Sequence, residues 1–193
     1  MAVKILSGKF RGFPLETPRG DTTKPTSVLV KRRLFDWRQN LEGYYFIDLC
    51  AGSGAMGLEA LSRGAEKVFL NDSMRGAFLT LKANKEKVSN AFKVEDEQIV
   101  TTNSEALKWI SKELSYQLPD FEDGIIFFDP PYADHALYFD GLKALKDAGY
   151  TGEVWLESDR LSGPKLDILS GLFSSIIKTI EHGDHFVIVG KVG

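Results

Sequence analysis

Two short stretches of this 193-residue chain carry side chains that can do chemistry together. The first is Asp48-Leu49-Cys50-Ala51-Gly52-Ser53-Gly54-Ala55-Met56-Gly57. The second is Asp129-Pro130-Pro131-Tyr132. Each begins where an apolar run ends, Tyr45-Phe46-Ile47 before Asp48 and Ile125-Ile126-Phe127-Phe128 before Asp129. Gly52, Gly54 and Gly57 satisfy G-x-G-x-x-G, in which the missing Cβ atoms let the backbone approach a ligand closely. Asp72 lies 20 residues after Gly52. An acidic side chain there binds ribose hydroxyls or, like Ser73, caps the helix that follows. The glycine pattern alone admits NAD, FAD or S-adenosylmethionine. Asp48 favours the last, because a carboxylate at a strand end suits an amino group and a sulfonium and repels a pyrophosphate.

Asp129-Pro130-Pro131-Tyr132 narrows the chemistry. The lone pair of an exocyclic base amine is delocalised into the ring, so the amine is a poor nucleophile. Two acceptors on its N–H bonds favour the pyramidal, reactive form; the Asp129 carboxylate supplies one and the Pro130 carbonyl the other. Pro130 and Pro131 stiffen the loop and aim its carbonyls. Tyr132 offers a flat face for the base, worth ~1–3 kcal/mol in stacking, and a base within a duplex must first be extruded. The four residues resemble the [DNS]-P-P-[YFW] motif of amino-group methyltransferases. The work left to such an enzyme is alignment of amine, methyl and sulfur, and acceptance of a proton by Asp129.

The elements that must hold these stretches are legible from Tyr44 onward. Apolar runs at 45–49, 68–70, 99–101, 125–128 and 154–156 alternate with helical stretches near 55–63, 74–88, 105–114 and 135–147. Gly64 falls where a left-handed cap would end the first helix. This alternation predicts an α/β fold, a parallel sheet covered by helices on both faces. Phe173–Ile180 and Phe186–Val192 are joined by too few residues for a parallel crossover, so they form an antiparallel hairpin at the sheet's end. That ending departs from a dinucleotide-binding fold and suits a class I methyltransferase. Upstream, residues 1–26 read as a short hairpin and a polar loop, followed by a basic helix over about 28–38 capped by Thr26 or Ser27.

Charge sets this N-terminal part apart. The first 40 residues hold nine basic and three acidic side chains, so the remaining 153 carry −9 of the overall −3. A basic arm on an acidic body is expected. The single cysteine, Cys50, rules out an internal disulfide and reads as a small core or pocket residue rather than a nucleophile. His182 and His185 flank a turn and read as solvated, without a third ligand to make a metal site. His135 follows the second stretch and reads more readily as outside the pocket than as its wall. No run approaches the ~20 apolar residues of a membrane span or forms a signal peptide, which predicts a cytoplasmic protein.

The whole pattern resembles the RsmD-type 16S rRNA guanine-N(2) methyltransferases, from Ile5 to about Glu157. The matching pieces are Ser7-Gly8-Lys9-Phe10-Arg11-Gly12, Lys24-Pro25-Thr26, Leu34-Phe35-Asp36-Trp37, Asp48 through Ala65, Asp129-Pro130-Pro131-Tyr132 and Leu156-Glu157-Ser158. The chain departs from that family at Lys24, which usually is Arg, and at Val28-Leu29 and Arg32, where an Asp-Arg pair and then a Glu are usual. The resemblance implies a Rossmann-like class I domain over 41–193, with a mostly parallel seven-stranded sheet, preceded by an RNA-contacting extension over 1–40. It implies S-adenosylmethionine held by Asp48, Ala51, Gly52, Ser53, Gly54, Gly57 and Asp72, with Ser104-Glu105 where an Asp usually meets the adenine amine. It further implies RNA contacts from Lys9, Arg11, Lys24, Thr26, Lys31, Arg32 and Arg33, and a monomer acting on rRNA of an assembling small subunit, the 30S particle. The competing readings are an adenine amino-group methyltransferase on DNA or RNA, an NAD-dependent oxidoreductase, and an RNA-binding assembly factor without turnover.

Overall fold

The computed structural model describes residues 3–18, 28–117 and 124–193. In chain order the elements are β1 (Val3–Lys4), β2 (Pro14–Leu15), α1 (Val28–Trp37), β3 (Tyr45–Asp48), α2 (Ala55–Ser62), β4 (Lys67–Asn71), α3 (Arg75–Phe92), β5 (Ile99–Thr102), α4 (Ala106–Lys112), α5 (Leu114–Gln117), β6 (Gly124–Phe128), α6 (His135–Asp147), β7 (Glu153–Asp159), α7 (Leu166–Ser170), β8 (Ser175–His182) and β9 (His185–Lys191). The strands β3 to β9 form one sheet in the order β5-β4-β3-β6-β7-β9-β8. The first five strands in that order run parallel. The last two make the antiparallel hairpin, with β9 inserted beside β7. Its turn is tighter than the sequence suggested: His182 pairs with His185, leaving only Gly183-Asp184, and Gly183 takes the positive φ of 59° the reversal needs.

Alternate residues of each strand feed two cores, one per face. Phe46, Val68, Leu70, Ile125, Phe127 and Trp155 point to the side of α1, α2 and α3. Ile47, Phe69, Ile126, Phe128, Val154 and Leu156 point to the side of α4, α6 and α7. Burial on both faces is what the unbroken apolar runs require. The short β1–β2 hairpin is not an appendage: Ile5, Phe10 and Leu15 are buried in the same core as Val30, Leu34 and Phe35 of α1. Helix α3 runs four residues beyond its expected end. Phe92 repays that extra turn by packing on Phe10 and Phe13, with ring centroids 4.6 and 5.3 Å apart. The helix expected over 105–114 instead stops at Lys112, and α5 starts as a separate turn.

Candidate active site

The chain fills the sheet outward in one direction through β4 and β5, then returns to the other side of β3 with β6 and β7. The switch point therefore lies between β3 and β6, and ligands of open α/β sheets bind beyond the strands' carboxyl ends at that point. Both sequence-predicted stretches meet there. Asp48 ends β3, paired alongside Phe127 of β6, and Asp129 follows one residue after β6 ends.

The three glycines do different jobs. Nothing lies within 4 Å of where a Gly52 Cβ would stand, so that backbone faces open space. Gly54 precedes α2 with φ 76°, a left-handed conformation that favours glycine. A Cβ on Gly57 would meet Leu70 Cδ2 at 2.3 Å, so this position lets α2 lie close on β4. Ala51 is buried beneath the loop, its N–H donating to the Asn71 carbonyl at 2.8 Å. The Ser53 carbonyl accepts from Asn84 Nδ2 at 2.8 Å, which ties the loop to α3.

Asp48 is 1% exposed, and its Oδ1 has no hydrogen-bond partner among the described residues. Burial, then Asp129, then Asp72 push its carboxyl well above the usual carboxylate range, against a hydrogen bond from the Gly57 N–H. A buried acceptor without a donor costs free energy, and it fits a cationic ligand. Asp72 is buried too. Its Oδ2 accepts the Gly52 N–H at 2.9 Å and its Oδ1 the Met74 N–H at 2.8 Å, so it secures the glycine loop and the turn that leads into α3. Each oxygen retains a lone pair for a ribose hydroxyl. Burial, followed by the Asp129 and Asp72 carboxylates, also raises the Cys50 thiol well above its ordinary value, which disfavours the thiolate.

The third strand end is organised by a residue the sequence did not flag. Asn71, fully buried, donates to the Leu49 and Ser104 carbonyls at 3.1 and 2.8 Å. Its Oδ1 accepts from Thr102 Oγ1 at 2.8 Å and the Ser104 N–H at 3.1 Å. It thereby stitches together the ends of β3, β4 and β5. Ser104 is thus held through its backbone, and Glu105 stands exposed as the residue before α4. Asn103 adds bonds to the Asp72 and Ser73 carbonyls at 2.7 and 3.0 Å.

The Asp129 loop is anchored from outside. Tyr138 Oη, on α6, donates to the Pro130 carbonyl at 3.1 Å, leaving that oxygen one lone pair. Pro130 is buried, Pro131 is exposed, and the Pro131 carbonyl accepts from the Asp134 N–H at 2.8 Å. Tyr132 is half-buried; its Oη donates to Glu157 Oε1 at 3.3 Å and lies 3.1 Å from His185 Nδ1. Burial, then Asp129 and Glu157, push the Tyr132 hydroxyl up, so it stays a donor. His185 is therefore not a solvated turn residue: its ring centroid lies 5.9 Å from that of Tyr132. His135 is exposed, with Nε2 2.8 Å from the Ser162 carbonyl. Among the described residues no group of three or more His, Cys, Asp or Glu could hold a metal ion, and no helix is long and apolar enough to cross a membrane.

Of the residues expected to meet RNA, Lys9, Arg11, Arg32 and Arg33 are exposed. Lys24 and Thr26 lie outside the described residues. Lys31 corrects the expectation: its side chain is 5% exposed, with Nζ donating to the Ala55 carbonyl at 2.6 Å and 3.5 Å from Glu59 Oε2. Glu59, wholly buried in α2, also accepts the Leu6 and Ser7 N–H groups at 2.6 and 3.0 Å and Arg63 Nε at 2.8 Å. Lys31 precedes Leu34 and Phe35 by three and four residues, so helical spacing already placed it on the inward face.

The comparisons agree with this architecture. Residues 3–162 match the family described as "Conserved hypothetical protein 95". The chain belongs to that family. Its relatives include Ribosomal RNA small subunit methyltransferase D of Buchnera aphidicola, 33% identical over 67% of this chain and 63% of the relative. The Escherichia coli protein of the same name is 27% identical over 83% of this chain and 77% of its own. The RsmD-type resemblance is thus borne out. Among solved structures, yhhF from Escherichia coli superposes with a TM-score of 0.74 at 23% identity, covering all of both chains. SMU.776, solved in complex with SAH, superposes at 0.65 with 11% identity over 83% of this chain and 48% of its own. These likenesses confirm the class I fold expected from the strand order.

Proposed function

We propose that this protein transfers a methyl group from S-adenosylmethionine to the N2 amino group of a guanine in small-subunit (16S) ribosomal RNA. The observation that carries this reading is the meeting, at one switch point, of two preorganised loops. One presents open glycine backbone beside the partnerless buried oxygen of Asp48. The other presents Asp129 beside a Pro130 carbonyl and a Tyr132 ring that are each anchored by hydrogen bonds. The relatives' name, a ribosomal RNA small subunit methyltransferase, supports the substrate class.

S-adenosylmethionine supplies a methyl group already activated on a sulfonium sulfur. Asp48 would meet the cationic amino group and sulfonium, and Asp72 would bind the ribose. Gly52, Ser53 and Gly54 would supply the close backbone, with Ala51 and Gly57 supporting the loop from beneath, and Ser104-Glu105 would stand at the adenine edge. On the acceptor side, Asp129 and the Pro130 carbonyl take the two amine N–H groups. Tyr132 stacks on the base, its ring fixed by Glu157 and His185, and Pro131 keeps the loop stiff. On methyl transfer the amine nitrogen would become positive, and Asp129 is placed to take its surplus proton. Holding the base in a fixed orientation would let alignment supply much of the rate.

Residues 1–40 form the RNA-contacting part, through Lys9, Arg11, Arg32 and Arg33, and residues 41–193 the methyltransferase part. The protein acts as a cytoplasmic monomer on rRNA of an assembling small subunit. The test uses labelled S-adenosylmethionine and small-subunit RNA from a strain lacking this protein, naked and as particles, followed by nucleoside analysis. Label in N(2)-methylguanosine is expected. Asp129→Ala should keep cofactor binding and lose methyl transfer by roughly 10²–10⁴-fold. Label in methyladenosine would overturn the base assignment, and full activity of Asp129→Ala would overturn the mechanism.

A further inference from the structure

The turn that follows β7 stands beside the Asp129 loop and has no part in the chemistry above. Strand β7 is the parallel neighbour of β6, so residues beyond Asp159 emerge on the same rim as Asp129. His135, just after the Asp129 loop, lies 2.8 Å from the Ser162 carbonyl through Nε2 and joins the two turns. The turn is rigid. Asp159 accepts the N–H groups of Leu161, Ser162 and Gly163 at 2.8, 2.6 and 3.3 Å, and Ser158 Oγ donates to the Pro164 carbonyl at 3.2 Å.

At the tip of this fixed turn Leu161 is 80% exposed. A large aliphatic side chain held in water by a preorganised backbone contributes nothing to the core. Two cations stand along the same rim. Arg160 pairs with the Glu181 carboxylate, and Arg33 of α1 donates to the Glu181 carbonyl at 2.5 Å, which brings the basic helix to the same rim. Beyond the tip, a recess of about 450 Å³ is lined by Arg160, Lys165, Leu166 and Asp167.

We propose that Leu161 is a wedge that inserts beside the target nucleotide of a structured RNA and holds the target base extruded toward Tyr132, with Arg160 and Lys165 facing the flanking phosphates. The proposal rests on the methyltransferase reading of the Asp129 loop. A base in a stack must leave it to reach a pocket at the strand ends. Apolar side chains inserted at the vacated step offset the lost stacking. Leu161 is an exposed apolar group on the turn that His135 joins to the Asp129 loop, and the strip from Arg33 through Arg160 leads the backbone to it.

Two measurements test this. In the first, Leu161→Ala and Leu161→Phe are compared with the unaltered protein on small-subunit RNA and on a short single-stranded RNA containing guanine. Leu161→Ala should lose roughly tenfold or more in kcat on the structured RNA and little on the single strand. Leu161→Phe should restore turnover. Tm and S-adenosylmethionine affinity should stay unchanged in both, since the side chain is largely exposed and lies outside the core of the described residues. Equal turnover by Leu161→Ala on structured RNA overturns the wedge. In the second, small-subunit RNA substituted with 4-thiouridine is photo-crosslinked to the unaltered protein and the modified peptides are mapped. Crosslinks on residues 160–165 are expected, and their absence overturns the proposal. Crosslinks there from an RNA that is never methylated would sustain this RNA contact and sink the proposed reaction instead.

Discussion

The Asp48 carboxyl lies inside the protein with Oδ1 lacking a donor, while Asp129 and Asp72 add negative potential. Its folded-state pKa is raised, mainly by burial, so the folded protein holds that proton more tightly than the unfolded chain does. Stability is therefore lost as pH rises from the unfolded carboxyl range, about 4, through the raised value. Asp48→Asn removes the buried charge. It should raise the ligand-free Tm at pH 8 by roughly 2–4 °C for each kcal/mol relieved, with the gain shrinking near pH 4.5. The same change should weaken S-adenosylmethionine binding by about 10-fold or more, the worth of a charged hydrogen bond. Thermal melts at both pH values, with and without the cofactor, decide it; a lower Tm at pH 8 would refute the account. Asp48 and Asp129 were legible in the sequence because their surroundings are local: a strand end, then glycines or prolines. Asn71, His185 and the Glu59 contacts beyond its i,i+4 partner Arg63 were not, because those partners lie up to 53 residues away and no spacing rule connects them.

Helix α1 was expected as a basic surface helix, and only part of it is one. Arg32 and Arg33 face solvent, while Lys31 is buried against the first turn of α2 and beside Glu59. Through Glu59 the β1–β2 hairpin, α1 and α2 share one carboxylate. Such a buried charge is worth about 3–5 kcal/mol to its partners, measured as the cost of removing one of them. Burial lowers the Lys31 pKa to about 8, against the attraction of Glu59. The unfolded chain keeps that proton up to about 10.4, so between these values the folded state binds fewer protons. Stability should therefore rise with pH from about 8 to about 10 through this group. Lys31→Met, destabilised by the loss of Glu59's partner, should lack that rise, so its deficit relative to the unaltered protein widens toward high pH. Denaturant melts of both proteins at pH 7.5 and pH 10 measure it, and parallel slopes would refute it. The strand and helix alternation from Tyr45 onward was read correctly because period and length are local signals. The break at Glu113 and the extra turn of α3 depend on what packs against them, so they were not.

Over the whole molecule the charge is divided. The first 40 residues carry +6 and the rest −9. An acidic body repels RNA, so approach is steered to the edge where the exposed cations stand. Arg33, bonded to the Glu181 carbonyl on β8, puts that edge at the end of the sheet where the Asp129 loop opens. Binding there releases counterions, and each phosphate contact contributes about 0.7–0.9 to the slope of log K against log salt. Arg32→Ala with Arg33→Ala should therefore lower the slope by roughly 1.4–1.8 if each side chain meets one phosphate. The loss of affinity should be large near 50 mM salt and small near 300 mM. Neither side chain is in the core, so Tm and S-adenosylmethionine affinity should hold. Fluorescence anisotropy with labelled small-subunit RNA across that salt range reads the slope directly. An unchanged slope would move the RNA path away from α1, whereas a reduced slope with intact cofactor binding places substrate capture on the basic edge and catalysis at the sheet's switch point.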